Sequence, residues 1–170
     1  MTDMIGIDSM ILIYAGLVPR KSGKLSKELG ELGVRAKLLL HMRRKDIIVL
    51  PTIAVSEVLV PVPAAQRGLL LTELSGRFLC PSFDLQAAAL AADLWSTHKK
   101  LPNDLQYKNR HVLRADAMIV AAAKSAGATK FYSHDKRCRA LADSLMIGCD
   151  LPTHDPDDMF IVEDIRRGDV

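Results

Sequence analysis

The chain has 170 residues, 49% of them hydrophobic and 25% charged, which is typical of one globular domain, and we predict a single domain over residues 1–170. No apolar run approaches the length of a membrane span, so we do not expect the chain to be a membrane protein. The three cysteines are widely spaced and form no CxxC pair or zinc pattern. Since no signal peptide is evident either, we expect reduced thiols in a cytoplasmic protein.

Strand and helix patterns alternate along the chain, and they predict an α/β fold. In chain order the predicted elements are strand 4–8, helix 24–44, strand 46–51, a short helix capped by Thr52, helix 64–75, an extended segment 77–81, a helix capped by Asp84, a polar loop 96–111, helix 114–126 with Gly127 at its C-cap, strand 130–133, helix 136–146 and a candidate last strand 160–162. This alternation favours a three-layer α/β/α sandwich with a mostly parallel central sheet. Ligands of such sheets bind beyond the carboxyl ends of the strands, which is where Asp8 lies.

The helix after Asp84 carries small and apolar residues at helical spacing. Leu85, Ala88, Ala92 and Trp95 fall along one side of it, and we predict that this side packs into the core. The single tryptophan is therefore expected to be a core residue.

The formal net charge is only +3, but the charges are unevenly spread. Basic residues crowd residues 20–45, a second basic stretch runs from Lys99 to Arg114, and acidic residues gather near the end of the chain. Such asymmetry permits a polyanionic partner, although a solvated helix face explains each basic stretch equally well.

Four acidic residues stand where the sequence pattern predicts burial or the end of a strand. Asp8 interrupts a long apolar run, and Glu57 lies in a helix that is apolar almost all round. Asp116 heads the apolar stripe of its helix, and Asp135 follows a predicted strand after one intervening residue. Asp8, Glu57, Asp116 and Asp135 are called the four acids below.

Each of the four acids also has an ordinary structural explanation. Asp135 fits a helix cap, Glu57 fits an ion pair with a basic side chain, and Asp116 fits the favourable dipole of a first helical turn. Asp8 has the weakest alternative because it lies so deep in an apolar run.

The four acids would repel one another strongly if they converged. Two unit charges about 5 Å apart at an effective dielectric of about 20 repel by about 3 kcal/mol. Either protons stay on some of the carboxylates or a cation neutralises them. Oxygen ligands without a histidine or cysteine partner favour Mg²⁺ or Mn²⁺ as that cation.

Four segments of the chain resemble, in order, the acidic motifs of PIN-domain ribonucleases. They are IGIDSMILIYA, PTIAVSEVL, RADAMIVAAAKSAGA and FYSHDKRCRAL, and the resemblance extends from Asp8 to about Val162. The family includes the toxins of VapBC toxin–antitoxin pairs. The resemblance implies a PIN-like parallel α/β fold and metal-dependent cleavage of RNA, and it maps the acidic quartet of the family onto the four acids.

On this resemblance the four acids form a catalytic site. Asp8, Asp116 and Asp135 would hold Mg²⁺ or Mn²⁺ directly or through water, and Glu57 would be a further ligand or would orient the attacking water. In-line attack on the phosphodiester would leave 3′-hydroxyl and 5′-phosphate ends.

Three further residues complete the predicted site. Ser9 and Ser133 match small hydroxyl positions of the family and are expected to orient the carboxylates, although turn and cap hydroxyls are equally common in such places. Arg114 is the expected RNA contact because it lies beside Asp116 in the sequence.

The expected partners are an RNA substrate, a small antitoxin protein if the chain is a toxin, and a second copy in a homodimer. Two other interpretations stay open. One is a housekeeping RNA-processing nuclease, and the other is a non-catalytic RNA-binding or scaffold domain that kept the fold. The intact set of acids argues against a scaffold, because a decayed site has no reason to tolerate buried like charges.

Overall fold

Four short strands form one sheet in the computed structural model, which describes residues 2–18 and 27–153. The strands are β1 (Met4–Ile7), β2 (Ile47–Val49), β3 (Lys130–Tyr132) and β4 (Ile147–Cys149). Their order across the sheet is β2–β1–β3–β4, and every pairing is parallel. The central strand β1 is apolar on both faces, and its Ile5 and Ile7 are fully buried, as expected for a parallel strand covered on both sides.

Seven α-helices surround the sheet in the described part of the chain. They are α1 (Ser9–Tyr14), α2 (Lys27–Met42), α3 (Thr52–Leu59), α4 (Ala64–Arg77), α5 (Leu85–Thr97), α6 (Arg110–Ser125) and α7 (Lys136–Ala142). One short 3₁₀-helix, His98–Lys100, follows α5 directly. This is the predicted α/β class with a parallel central sheet, which is therefore confirmed. None of these described helices combines the length and the apolar character that a membrane span requires.

Gly6 lets β3 and α6 approach the central strand closely. A Cβ atom at this position would lie 2.7 Å from Phe131 Cδ2 and 2.8 Å from Ala123 Cβ. Both separations are too short for close-packed carbon atoms, so glycine is needed here. The tight packing fixes α6, which carries Asp116, against the strand that leads into Asp8.

The predicted helix 136–146 is too long, and β4 was not predicted. The structure ends α7 at Ala142, and the Asp143 side chain then accepts the backbone N–H of Gly148 at 2.8 Å. β4 has three residues and lies at the edge of the sheet, where Ile147 is largely exposed. The sequence does carry an apolar run from Leu145 to Cys149, but the helix predicted over 136–146 took in its first two residues, and the remaining three are too few to indicate a strand.

Three smaller predictions have different outcomes. The extended segment 77–81 contributes a single bridge, from Leu79 to Val49. Gly127 has a positive φ of 100° just beyond α6, as a C-cap glycine requires. The candidate strand 160–162 lies outside the described residues.

Two helices begin at residues other than those predicted. Thr52 is not the cap of α3, because Pro51 occupies that position without a side-chain hydrogen bond and Thr52 is the first helical residue. α6 begins at Arg110 rather than at residue 114, because the side-chain oxygen of Asn109 accepts a backbone N–H of the first turn at 2.8 Å.

The prediction that the Trp95 side of α5 is buried is wrong. Leu85 is 90% exposed and Trp95 is 37% exposed, whereas Ala87, Ala91 and Leu94 are buried. α5 packs mainly against α6, and its small buried residues allow a close approach. Alanines lie almost all round this helix, so spacing alone did not identify the side that packs.

Candidate active site

Asp8 lies at the carboxyl end of β1, the central strand. Its backbone N–H donates to Tyr132 O at 3.1 Å, which extends the pairing of β1 with β3 by one residue. Asp8 is also the N-cap of α1, where its Oδ1 accepts the Met10 N–H at 3.5 Å. The charge inside the apolar run therefore marks the point where the chain leaves the sheet and begins a helix.

Ser133 connects Asp8 to Asp135. Its side chain is fully buried, and its Oγ donates to Asp8 Oδ2 at 2.8 Å. The same oxygen accepts the backbone N–H of Asp135 at 3.1 Å. The Ser133 N–H donates to Cys149 O at 3.0 Å, which fixes the residue at the ends of β3 and β4. One hydroxyl thus orients the first of the four acids against the last.

Ser9 lies between Asp8 and Glu57. Its buried Oγ is 2.7 Å from Glu57 Oε2 and 3.2 Å from Asp8 Oδ1. A hydroxyl has one proton and can donate to only one of these carboxylates at a time. Burial raises the pKa of Glu57 and the Asp8 charge adds to this, while the hydrogen bond from Ser9 opposes it. A proton held on Glu57 would allow both contacts to be hydrogen bonds.

Asp116 is largely buried and lies close enough to the other three acids for their charges to act on it. Burial raises the pKa of Asp116 to about 7, and the charges of Asp8, Asp135 and Glu57 all act in the same direction. A hydrogen bond from the Tyr107 hydroxyl to Asp116 Oδ2, 2.7 Å long, only partly opposes them. Residues from three helices and two strand ends therefore meet at one site, at the carboxyl edge of the sheet.

Asp135 is the N-cap of α7 and forms an ion pair with Arg137. Its Oδ1 accepts the backbone N–H of Arg137 at 2.8 Å, and its Oδ2 lies 3.1 Å from Arg137 Nη2. Burial opposes ionisation of Asp135, but the bonds to Arg137 outweigh it and lower the pKa of this carboxyl. Asp135 is therefore a charged carboxylate near neutral pH, whereas Asp116 beside it binds a proton readily.

The donor atoms of the site suit a hard divalent cation. They are the carboxylate oxygens of the four acids, with the hydroxyls of Ser9 and Ser133 behind them. Cys138 lies nearby, but complete burial raises the pKa of its thiol well above the ordinary value, so it is a neutral thiol in the metal-free protein. Across residues 2–18 and 27–153, no three His, Cys, Asp or Glu side chains are arranged to grip one ion together. Mg²⁺ needs fewer, since one or two carboxylates and several retained waters suffice, and the residues fit a site of that kind.

A comparison with solved structures shows a protein of similar fold. A chain of the VapBC2 complex from Rickettsia felis, solved with a DNA fragment from the promoter, matches this structure with a TM-score of 0.56. The match covers 88% of this chain and 99% of the other, at 14% sequence identity. The fold is PIN-like. No family model and no curated protein matches the sequence.

Within this PIN-like fold, Arg114 lies apart from the other predicted site residues. Hydrogen bonds of Ser9 and Ser133 connect Asp8, Glu57 and Asp135, and the charges of these three acids act on Asp116. The guanidinium carbon of Arg114 instead lies 5.1 Å from the centre of the Trp95 ring. Arg114 is thus a surface residue beside the site rather than a contact of its carboxylates.

Two residues of the site were not predicted from the sequence. Tyr107 lies in the polar loop before α6, and no periodic pattern distinguishes it there. Arg137 follows Asp135 by two residues, and an Asp N-cap with a cation at that spacing is a signal that the sequence did offer. Both residues restrain the orientation of acids that the sequence did single out.

Replacing Ser133 with Ala should lower the free energy of unfolding by about 1–3 kcal/mol, because the partly buried N–H of Asp135 and the carboxylate of Asp8 lose their shared partner. Urea denaturation measures this change. Ser75→Ala is the matched control: the exposed Ser75 Oγ donates to Thr72 O within α4, and its loss should cost less than about 0.5 kcal/mol. Equal effects of the two substitutions would show that the Ser133 hydroxyl does not organise the site.

Proposed function

We propose that the protein is a Mg²⁺- or Mn²⁺-dependent endoribonuclease that hydrolyses phosphodiester bonds in RNA. The observation that carries the proposal is the meeting of acidic side chains at one site, where Ser9 Oγ contacts Asp8 and Glu57 and Ser133 Oγ connects Asp8 to Asp135. Burial, and then the charges of the other three acids, raise the pKa of Asp116 to about 7. Carboxyl groups perturbed in this way, at the carboxyl edge of a parallel sheet, are typical of catalytic and cation-binding sites. The PIN-like fold supports the same assignment.

In this proposal Asp8, Asp116 and Asp135 hold the divalent cation directly or through water. When bound, the cation supplies a water of lowered pKa and neutralises charge on the scissile phosphate. Glu57 is a further ligand or the group that accepts a proton from the attacking water, and its raised pKa suits the second role. Ser9 and Ser133 keep these carboxylates oriented. The products would carry 3′-hydroxyl and 5′-phosphate ends.

The proposal extends to a toxin–antitoxin context. The chain shares its fold with a chain of VapBC2, and its motifs resemble those of PIN-domain ribonucleases, which include VapBC toxins. A small antitoxin protein and a second copy of the chain would then be its protein partners. A housekeeping RNA-processing nuclease would use the same site without an antitoxin.

Incubation of the purified protein with labelled RNA tests the proposed activity. We expect fragments with 5′-phosphate ends in Mg²⁺ or Mn²⁺ and no fragments in EDTA. Fragments that form equally well in EDTA, or that end in 2′,3′-cyclic phosphates, would contradict the proposal, because they indicate attack by the ribose hydroxyl without a metal. Single-stranded DNA in parallel reactions shows whether the site selects RNA.

Within the described residues, the surface around Arg114 has features that suit an RNA strand. Trp95, His98, Arg110, Leu113 and Arg114 line a cavity of about 140 Å³. Trp95 is partly exposed, and no carboxylate forms a salt bridge with either arginine within the described residues. A partly exposed aromatic ring with one arginine stacked on it and a second arginine nearby is a combination that binds single-stranded nucleic acid, through base stacking, cation–π and phosphate contacts.

Single-stranded RNA should quench the fluorescence of Trp95, the only tryptophan in the chain. The titration is made in EDTA so that binding is measured without cleavage. Arg114→Gln should weaken binding by about fivefold at about 0.1 M salt, since one phosphate contact is lost. Lys124→Gln is the control, because Lys124 lies in the last turn of the same helix. If RNA bound without quenching Trp95, or if both variants bound it with equal affinity, the RNA contact would lie elsewhere.

A further inference from the structure

Arg137 holds both carboxylate oxygens of Asp135. Its Nε lies 3.4 Å from Oδ1 and its Nη2 lies 3.1 Å from Oδ2, so the guanidinium faces the carboxylate with two nitrogens. The backbone N–H of Arg137 donates to Oδ1 as well. Little of this carboxylate is left for another cation while the guanidinium stays in place.

The guanidinium is also held from a second side, by Tyr107. Its central carbon lies 5.6 Å from the centre of the Tyr107 ring, and the Tyr107 hydroxyl donates to Asp116. Arg137 and Tyr107 therefore form a bridge from Asp135 to Asp116, two of the proposed metal ligands. Among the side chains that the structure describes, Arg137 is the one cation within salt-bridge distance of any of the four acids.

We propose that Arg137 is the counter-ion of the metal-free site and that a divalent cation displaces it from Asp135. The inference rests on the proposed function, since it concerns the cation of the same site. The four acids repel one another and need a positive charge, which a guanidinium supplies permanently because it does not lose its proton. A guanidinium that faces both oxygens of Asp135 leaves little room for a metal ion to bind them directly, so the two cations compete for this carboxylate. Arg137 is in this account a positioning residue that sets how tightly the site binds its metal.

Manganese binding tests this competition directly. Mn²⁺ alone is titrated into the wild-type protein and into Arg137→Gln, and free Mn²⁺ is followed by electron paramagnetic resonance. Loss of a half-exposed ion pair should tighten Mn²⁺ binding by about fivefold. Arg137→Lys keeps the charge but not the two-nitrogen geometry, so its Mn²⁺ affinity should lie between those of the wild type and Arg137→Gln.

Lys136→Gln is the matched control for net charge. Lys136 is the neighbouring residue, it is exposed, and it lies 3.7 Å from Asp104, which is not one of the four acids. This substitution removes the same charge without freeing Asp135, so Mn²⁺ affinity should change by less than about twofold. An equal gain in Arg137→Gln and Lys136→Gln would overturn the inference, because the effect would then be general electrostatics.

The melting temperature separates displacement from a merely structural role. Without metal, Arg137→Gln should melt below the wild type, since Asp135 loses its counter-ion. Saturating Mn²⁺ should remove most of that difference, because the ion takes over the neutralising role. If Arg137→Gln lowered the melting temperature equally with and without Mn²⁺, Arg137 would only stabilise α7. If none of the proteins binds Mn²⁺, the proposed metal site itself fails, and this inference fails with it.

Discussion

Asp8→Asn and Asp116→Asn should each lower Mg²⁺-dependent RNA cleavage by more than about 100-fold. Loss of a residue that merely supports a metal ligand costs about 10- to 100-fold, and these two are assigned as ligands themselves. Asn keeps the size of the side chain and an oxygen that can accept the bonds from Ser133 or Tyr107. The substitutions therefore remove charge while preserving most of the local structure. Initial rates of fragment formation at saturating Mg²⁺ measure the effect.

Asp84→Asn is the control for this experiment. Asp84 is also an aspartate N-cap, but it caps α5 and accepts from Ser125 at the far end of α6 from Asp116. Its replacement should leave the cleavage rate within about twofold, since asparagine caps helices as well as aspartate does. Wild-type activity in Asp8→Asn or Asp116→Asn would reject these residues as metal ligands and would trace the cleavage to another site or to a contaminant.

Asp116→Asn should at the same time stabilise the metal-free protein at about pH 8, by up to about 4 kcal/mol. The pKa of Asp116 is raised to about 7 by burial and by the other acids, so ionising this group at high pH costs folding free energy. Its favourable contribution is complete below the ordinary pKa of 3.8 and is lost as the pH rises towards 7. Asparagine has no charge to bury and should remove this pH dependence.

Urea denaturation in EDTA at a series of pH values measures the stability change. Asp135→Asn provides a contrast of opposite sign, because the pKa of Asp135 is lowered by its bonds to Arg137 against the effect of burial. Its contribution to stability is present above the ordinary pKa and is lost as the pH falls through the lowered value, so Asp135→Asn should destabilise the protein at neutral pH. If Asp116→Asn destabilised the metal-free protein as well, the four acids would not repel one another as described.

Much of the fold could be predicted because its central strands and helices are apolar throughout or carry their apolar residues along one face. β1 is apolar on both faces, and the stripe of Ile119, Val120 and Ala123 identifies the buried face of α6. The strand β4 and the side of α5 that packs into the core could not be predicted. The edge strand buries little, and the alanines of α5 offer several nearly equivalent packing sides, so tertiary contacts decide which side is buried.

The candidate site was predictable to the extent that its charges interrupt apolar patterns. Asp8 stood out because a carboxylate in a buried run is costly unless it is hydrogen-bonded, and the structure shows such bonds to Ser9 and Ser133. Tyr107 did not stand out, because a tyrosine in a polar loop is unremarkable until the fold brings it to Asp116. Contacts between residues far apart in the chain follow from packing, which no local pattern records.

Anomalous scattering from crystals grown or soaked in Mn²⁺ tests the central claim most directly. The account predicts an anomalous peak at the carboxyl edge of the sheet, bound by Asp8 and Asp116 directly or through ordered water, with Asp135 released from Arg137. Mn²⁺ that binds only elsewhere on the protein, while the four acids keep the metal-free contacts described here, would contradict it.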